Sequence, residues 1–505
     1  MAFPLIGVVI ASALLIWYLL QGRKKKDSKL GNLKEIPGPR GLPLIGNILQ
    51  LGTFPNDQFT KWSKEYGPIY KVHLGNQMVV IVSDPKLSKE IFTNDPIYTG
   101  RPYFEGFDMY LDHPGLGMFA SEGEYWEVHR RFLLRQLRDF GFGKSSMEAL
   151  IMEEVNELLE RFTKEEGKPI GQMRETLRLA IVNALWTILS SQRFNHDDPK
   201  LSQLTDNIIK SFDITFSGGS LLIFLPWLRH IIPEYSGYNA MRKEFDGFKD
   251  FLEGTINNHK KEFKEENLKD FIDVYLAEMN KATDEKSPFY GTKAERQLAA
   301  TMLDLFLAGS DSSATTLSWA IIYLCKNPEV QKKLQKEIED ITGNDRPVSV
   351  SDRPNMPYTL SVIDEVLRHS SIVPDGAQHR AMADGEFQGY RIPKDAWIQP
   401  NLFFIHRDPK IWGDADNFRP ERFLSQDGKK YIKSENLQPF QVGRRVCVGE
   451  TLARDTIFLY LTNIFQKFDV KFDPKGKEPS LETILGFFRA PEPYEVVMKK
   501  RLPSK

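Results

Sequence analysis

The sequence predicts a mainly helical chain with a small β portion, preceded by an N-terminal transmembrane helix. Three observations predict it. Of 505 residues 41% are hydrophobic and 12% aromatic, enough to bury a sizeable core. Apolar residues recur at helical spacing along most of the chain and alternate only in short stretches. Residues 3–20 carry no charge, close to the roughly 20 apolar residues that a helix needs to cross a bilayer. The composition excludes disorder, collagen and coiled coil. The balance of 67 basic against 68 acidic side chains, net −1, argues against a nucleic-acid binder. Two cysteines, Cys325 and Cys447, form at most one disulfide, so this is not a bridge-stapled secreted scaffold.

Taken in order, residues 1–22 read as a retained anchor, because no basic residue precedes the apolar run as it would in a cleaved signal. Arg23, Lys24, Lys25 and Lys26 follow at once, and this one-sided positive charge leaves the remainder in the cytosol. Residues 23–47 combine that basic cluster with a proline-rich stretch, Ile36-Pro37-Gly38-Pro39, whose fixed φ and missing donors make it a stiff hinge. Residues 69–74 and 78–82 flank Gly75-Asn76, a hairpin signature. Helical patterns then cover 125–138, 145–162, 241–265, 295–326, 328–341, 360–369 and 449–468, with Asn327-Pro328 as N-cap and first helical position between two of them. Strand-like pieces recur at 387–392 and at the C-terminus. No internal repeat or low-complexity tract is present.

Around Cys447 the chain reads Phe440-Gln441-Val442-Gly443-Arg444-Arg445-Val446-Cys447-Val448-Gly449, and a helical stretch follows. The glycines allow a tight turn beside something flat or bulky. A thiolate at a helix N-terminus near Arg445 is expected to have a depressed pKa and to ligate metal. Cys325 closes an apolar helix and is assigned to packing.

Phe440, Gly443, Arg445, Cys447 and Gly449 resemble the haem-binding signature of the cytochrome P450 superfamily, the haem-thiolate monooxygenases, and in particular its animal microsomal group. The resemblance extends from the anchor to the C-terminus. It implies haem b (iron protoporphyrin IX) with Cys447 as axial ligand, and a P450 fold over residues 48–505 as one haem-binding domain, although length alone suggests about three. It implies electrons from NADPH through the flavoprotein NADPH-cytochrome P450 reductase, cytochrome b5 as an optional further partner, an endoplasmic-reticulum location with the catalytic domain facing the cytosol, and a lipophilic small-molecule substrate.

Further motifs fit the resemblance. Ala308-Gly309-Ser310-Asp311-Ser312-Ser313 interrupts an apolar helix with poor helix formers, and the hydroxyls are expected to open it into a kink. It resembles the oxygen-activation motif, which makes Asp311 and Ser312 the proton relay; the usual threonine is serine here, so the methyl that stiffens χ1 is missing. Asp304, Ala308 and Ser312 share one helix face, expected to look onto the distal side. Asp304 reads as an acceptor that orders a neighbouring loop or, with less weight, as an anchor for a basic substrate. Glu365 and Arg368 resemble the family's Glu-x-x-Arg, meeting Arg422 of Pro420-Glu421-Arg422-Phe423 in a structural network. Trp126 and Arg130 resemble the haem clamp, and His379 and Arg445 fall at the other propionate-binding positions; His129, between the clamp residues, points elsewhere. Arg131, Arg135 and Arg138 form a basic stripe for an acidic reductase.

By position, substrate contacts fall at 104–119, near Phe212 and Phe216, at Asp304 through Ser312, at Ile372 and Val373 through Asp375, and at Phe487 and Phe488. Two other readings compete: a haem-thiolate isomerase or dehydratase needing no external electrons, against which Asp311 and Ser312 speak, and a non-catalytic haem-binding or gas-sensing protein.

Overall fold

The computed structural model describes residues 33–103, 115–196, 205–207, 209, 222, 225, 227–343, 346–481, 483–484 and 488–501. The expected anchor and its basic cluster lie outside these, and among the described residues no helix is long and apolar enough to cross a membrane. The larger elements are, in order, α1 (Pro55–Tyr66), β1 (Ile69–Leu74), β2 (Gln77–Val82), α2 (Pro85–Asn94), α3 (Gly117–Ala120), α4 (Gly123–Asp139), α5 (Ser145–Lys164), β3 (Pro169–Ile170), α6 (Met173–Ser190), α7 (Tyr238–Glu262), α8 (Phe271–Lys281), α9 (Gly291–Lys326), α10 (Pro328–Thr342), α11 (Pro357–Ser370), β4 (His379–Arg380), β5 (Gly385–Phe387), β6 (Tyr390–Ile392), β7 (Trp397–Pro400), α12 (Leu402–Ile405), α13 (Glu450–Lys467), β8 (Phe468–Phe472), β9 (Thr483–Ile484), β10 (Ala490–Pro491) and β11 (Val496–Lys500).

The 36 residues of α9 span about 54 Å at 1.5 Å per residue. From Ala294 to Leu324 nearly every side is buried, so α6, α11 and α13 pack round it and residues from Leu116 to Met498 share one apolar cluster. The poor helix formers at 308–313 do not interrupt the helix, and the expected back-bonding of their hydroxyls is present. Ser310 and Ser312 donate to the carbonyls of Phe306 and Ala308, both at 2.7 Å, while the helix runs on unbroken. A Cβ at Gly309 would collide with Leu185, so this glycine serves the close crossing of α6 over α9.

The predicted hairpin forms with Ile69 opposite Val82 and Leu74 opposite Gln77. Its β2 continues into a parallel pairing with β7, Val79 to Trp397, and β4 completes a sheet ordered β1-β2-β7-β4. β8, β11 and β3 make a second sheet. The described part of the proline-rich stretch is docked: Pro37 accepts from the Lys71 amide at 2.8 Å, Ile36 is buried, and a Cβ at Gly38 would strike the Lys71 carbonyl. Asn327 also differs from expectation. Its Nδ2 donates back to the Tyr323 carbonyl at 2.8 Å, closing α9, and it makes no side-chain cap on α10; an orphan carbonyl at the end of α9 takes the donor first.

Candidate active site

Cys447 ends a loop that α13 follows. Gln441 and Gly443 turn it through positive φ (58° and 85°), and a Cβ at Gly443 would run into the Phe92 carbonyl, so that glycine allows the loop to press on the end of α2. Arg445 fixes the loop from beneath, donating from Nε to Thr99 O at 2.7 Å and from Nη2 to Ser121 O at 2.6 Å. The Cys447 thiol is held above its ordinary range by burial, against which the Gly449 N–H and then Arg130 pull it down. The expectation of a depressed pKa is thereby corrected: the nearby cation is Arg130 rather than Arg445, and burial outweighs it. Cys325 is the packing cysteine expected, its thiol pushed up to about 12 by burial.

Cys447 is exposed and lines a cavity of about 310 Å³ whose walls also carry Ala308, Ser312, Ile372, Val373, Phe440 and Phe488. Three guanidiniums, Arg101, Arg130 and Arg445, line the same space. The Trp126 ring contacts two of them, its centroid lying 4.0 Å from the Arg445 guanidinium carbon and 5.5 Å from that of Arg130. Burial and then Arg130 depress Arg101 to about 9; burial and then Arg101 depress Arg445 to about 8. Arg445 Nη1 is buried without a partner. Asp304 acts on Arg101 and Glu122 on Arg445, but neither offsets the burial of its guanidinium, and buried charge left under-paired is expensive. An apolar cavity with a thiol in its wall and surplus cations at its edge fits a haem with its iron and two propionates.

His379 is buried, donates from Nδ1 to the Tyr98 carbonyl at 2.7 Å, and is kept neutral by burial and then by Arg101 and Arg445 nearby. It does not contribute to the cavity wall; Arg101, which the sequence reading passed over, does. Arg101 follows a short 3-10 turn and looks like any loop arginine, so no spacing signal marks it. Its Nη1 donates to the carbonyls of Ala377 (3.1 Å) and Gln378 (2.7 Å). His129 points elsewhere, as expected, into a cage of Tyr125, Tyr275 and Phe289.

On α9, Asp304, Ala308 and Ser312 all line the cavity, the shared face that their spacing implies. Asp304 Oδ2 accepts from the amides of Met118 (2.6 Å) and Phe119 (2.9 Å), and Gln297 Oε1 accepts from that of Gly117 (2.8 Å), so α9 holds the α3 turn over the cavity. Burial pushes the Asp304 carboxyl up to about 7 against those two bonds and Arg101. Asp311 commits both oxygens to α6: Arg174 donates from Nε (3.0 Å) and Nη2 (2.5 Å), and Arg178 stands at 3.5 Å while also pairing with Asp206. Neither arginine was legible beforehand, because α6 is apolar on nearly every side and shows no stripe against which an inward arginine stands out.

Glu365, fully buried, takes Arg368 through two bonds of 2.7 and 2.8 Å, Arg422 Nε at 3.0–3.1 Å and the Arg419 amide at 2.7 Å. One carboxylate thus joins α11 to the segment from Arg419 to Arg422 that leads toward the cysteine loop. Phe487, Phe212, Phe216 and residues 104–114 of the expected substrate contacts lie outside the described residues. Phe119, Ile372, Val373 and Phe488 line the cavity.

Residues 36–498 match the family model described as Cytochrome P450. Similar curated proteins include Cytochrome P450 18a1 of Drosophila melanogaster, 33% identical over 98% of this chain and 91% of the relative. Farnesoate epoxidase of Bombyx mori is 31% identical over 99% and 100%. Cytochrome P450 2J5 of Mus musculus is 33% identical over 91% and 90%.

Proposed function

The chain belongs to the cytochrome P450 family, and from that premise we propose that this monooxygenase hydroxylates or epoxidises a lipophilic small molecule, with electrons from NADPH-cytochrome P450 reductase. The observation that carries the reading is one apolar cavity that joins the Cys447 thiol, three surplus guanidiniums and the Ala308–Ser312 face of α9. Its mostly aliphatic and aromatic wall suits a ligand with few polar anchors. The silkworm relative is named for an epoxidation, which supports that chemistry beside hydroxylation.

Haem iron, when bound, supplies the oxygen activation. Cys447 would ligate it through Sγ, with the Gly449 amide directed at the same sulfur. Arg101, Arg130 and Arg445 would hold the propionates, with the Trp126 ring against the last two and His379 close to Arg101 and Arg445. The apolar wall from Leu116 to Phe488 keeps water out. Ser312 holds its hydroxyl proton on the Ala308 carbonyl at 2.7 Å and turns its lone pairs to the cavity. Asp311 stays anchored to Arg174 and fixes the turn that carries Ser312. Residues 1–22 would anchor the chain in the endoplasmic-reticulum membrane, with Arg23 to Lys26 keeping the catalytic domain in the cytosol.

Expression of Cys447→Ala beside wild type tests the assignment. Wild type is expected to give the long-wavelength Soret band of a thiolate-ligated ferrous carbonyl complex, and the variant to lose it. The same spectrum from both would sink the ligand assignment.

A further inference from the structure

α11 ends at Ser370, Ser371 turns the chain at a positive φ of 41°, and the next two residues, Ile372 and Val373, are cavity wall. The last carbonyls of a helix carry a partial negative charge and lack partners of their own. Two arginines distant in sequence take them here: Arg407 donates from Nη2 to His369 O, and Arg489 from Nη1 to Ser370 O at 2.5 Å. Both guanidiniums stand over the ring of Phe403, at 3.9 and 4.7 Å. The main chain of Arg489 adds two more ties. Its amide donates to Ile372 O at 2.8 Å, and its carbonyl accepts from Trp319 Nε1 of α9, also at 2.8 Å.

The residue just before it, Phe488, is cavity wall, whereas Arg407 and Arg489 are not. One residue outside the cavity therefore joins three of its sides: α9, the turn after α11, and the segment from Phe488 that leads into β10. We propose that Arg489 is a positioning residue which, through the end of α11, sets the gap between Ile372–Val373 and Phe488 and so determines which part of a bulky ligand faces Cys447. This rests on the haem-thiolate reading of the same cavity. Any residue at 489 keeps the two main-chain ties, so replacing the side chain isolates the clamp on Ser370 and Phe403. Lysine keeps the charge but loses the planar fork, and glutamine loses both charge and stack.

The test uses the full chain in its haem-loaded form as wild type, Arg489→Lys and Arg489→Gln. Each is titrated spectroscopically with imidazole, too small to reach the far wall, and with 4-phenylimidazole, which must fit against it. Hydrogen exchange of the peptide covering 371–376 is followed in the same preparations. For Arg489→Gln, 4-phenylimidazole binding is expected to change about tenfold relative to imidazole, and exchange at 371–376 to quicken by about as much, with Arg489→Lys in between. Equal proportional changes for the two ligands, or unchanged exchange at 371–376 with the thiolate spectrum retained, would overturn the proposal. Should Arg489→Gln not fold, Arg489→Lys decides by the same two criteria. Absence of any imidazole-induced Soret shift in wild type would instead defeat the haem reading, and the exchange comparison would still decide whether Arg489 holds the turn.

Discussion

At the scale of single residues, Asp304 shows how burial and hydrogen bonding compete at one carboxyl. Burial raises its pKa to about 7, while the Met118 and Phe119 amides and Arg101 oppose the rise. A carboxyl with a folded pKa above its unfolded value binds an extra proton in the native state, so its contribution to stability is fully present below about pH 4 and is lost as pH rises through about 7. Asp304→Asn cannot titrate, and stability measured by denaturant midpoint from pH 5 to 8 should fall less steeply in this variant than in wild type. Parallel profiles would show that the carboxyl is already ionised throughout.

Elements fixed by local pattern were legible in the sequence. The hairpin at Gly75-Asn76 and the amphipathic helices α4, α5 and α11 appear where alternation or a helical stripe announces them. α6 was not legible, because a helix buried from Met173 to Ser190 has no polar face to give it a period. The β2–β7 pairing joins residues some 300 apart and leaves no local trace. The same divide runs through the site. Glu365, Arg368 and Cys447 sit in contiguous motifs, whereas Arg101, Arg174, Arg178 and Arg489 act only through residues far away in the chain.

Energetics at this scale centre on α11. Glu365 stands between two buried guanidiniums, so Glu365→Gln removes the charge that both answer. Breaking a buried pair from one side costs about 3–5 kcal/mol, and the cost here should reach at least that range. Arg422 is the more peripheral partner, so Arg422→Gln should cost less. Chemical denaturation of the three proteins checks the order, and a loss for Arg422→Gln as large as that for Glu365→Gln would show that Arg422 is not the peripheral partner.

For the whole molecule, a net charge of −1 gives almost no long-range pull on a partner of either sign. Any electrostatic steering must come from uneven distribution. α4 supplies such an asymmetry: Arg130 reaches the cavity, and Arg131, Arg135 and Arg138 stand exposed roughly 100° further round the same helix. One helix thus carries both a cavity cation and a basic surface, which suits electron entry close to Cys447 on the proposed reading. Arg131→Glu combined with Arg135→Glu inverts the stripe and spares the cavity side. Reduction by NADPH and the reductase under carbon monoxide, timed by growth of the ferrous carbonyl band, should slow about tenfold at low ionic strength. Salt should slow wild type, since screening over about 10 Å at 0.1 M weakens attraction, but should have the opposite effect on the variant. Dithionite should give both proteins the same final band, which confines the effect to the encounter. If both respond identically to salt, the reductase does not approach over α4.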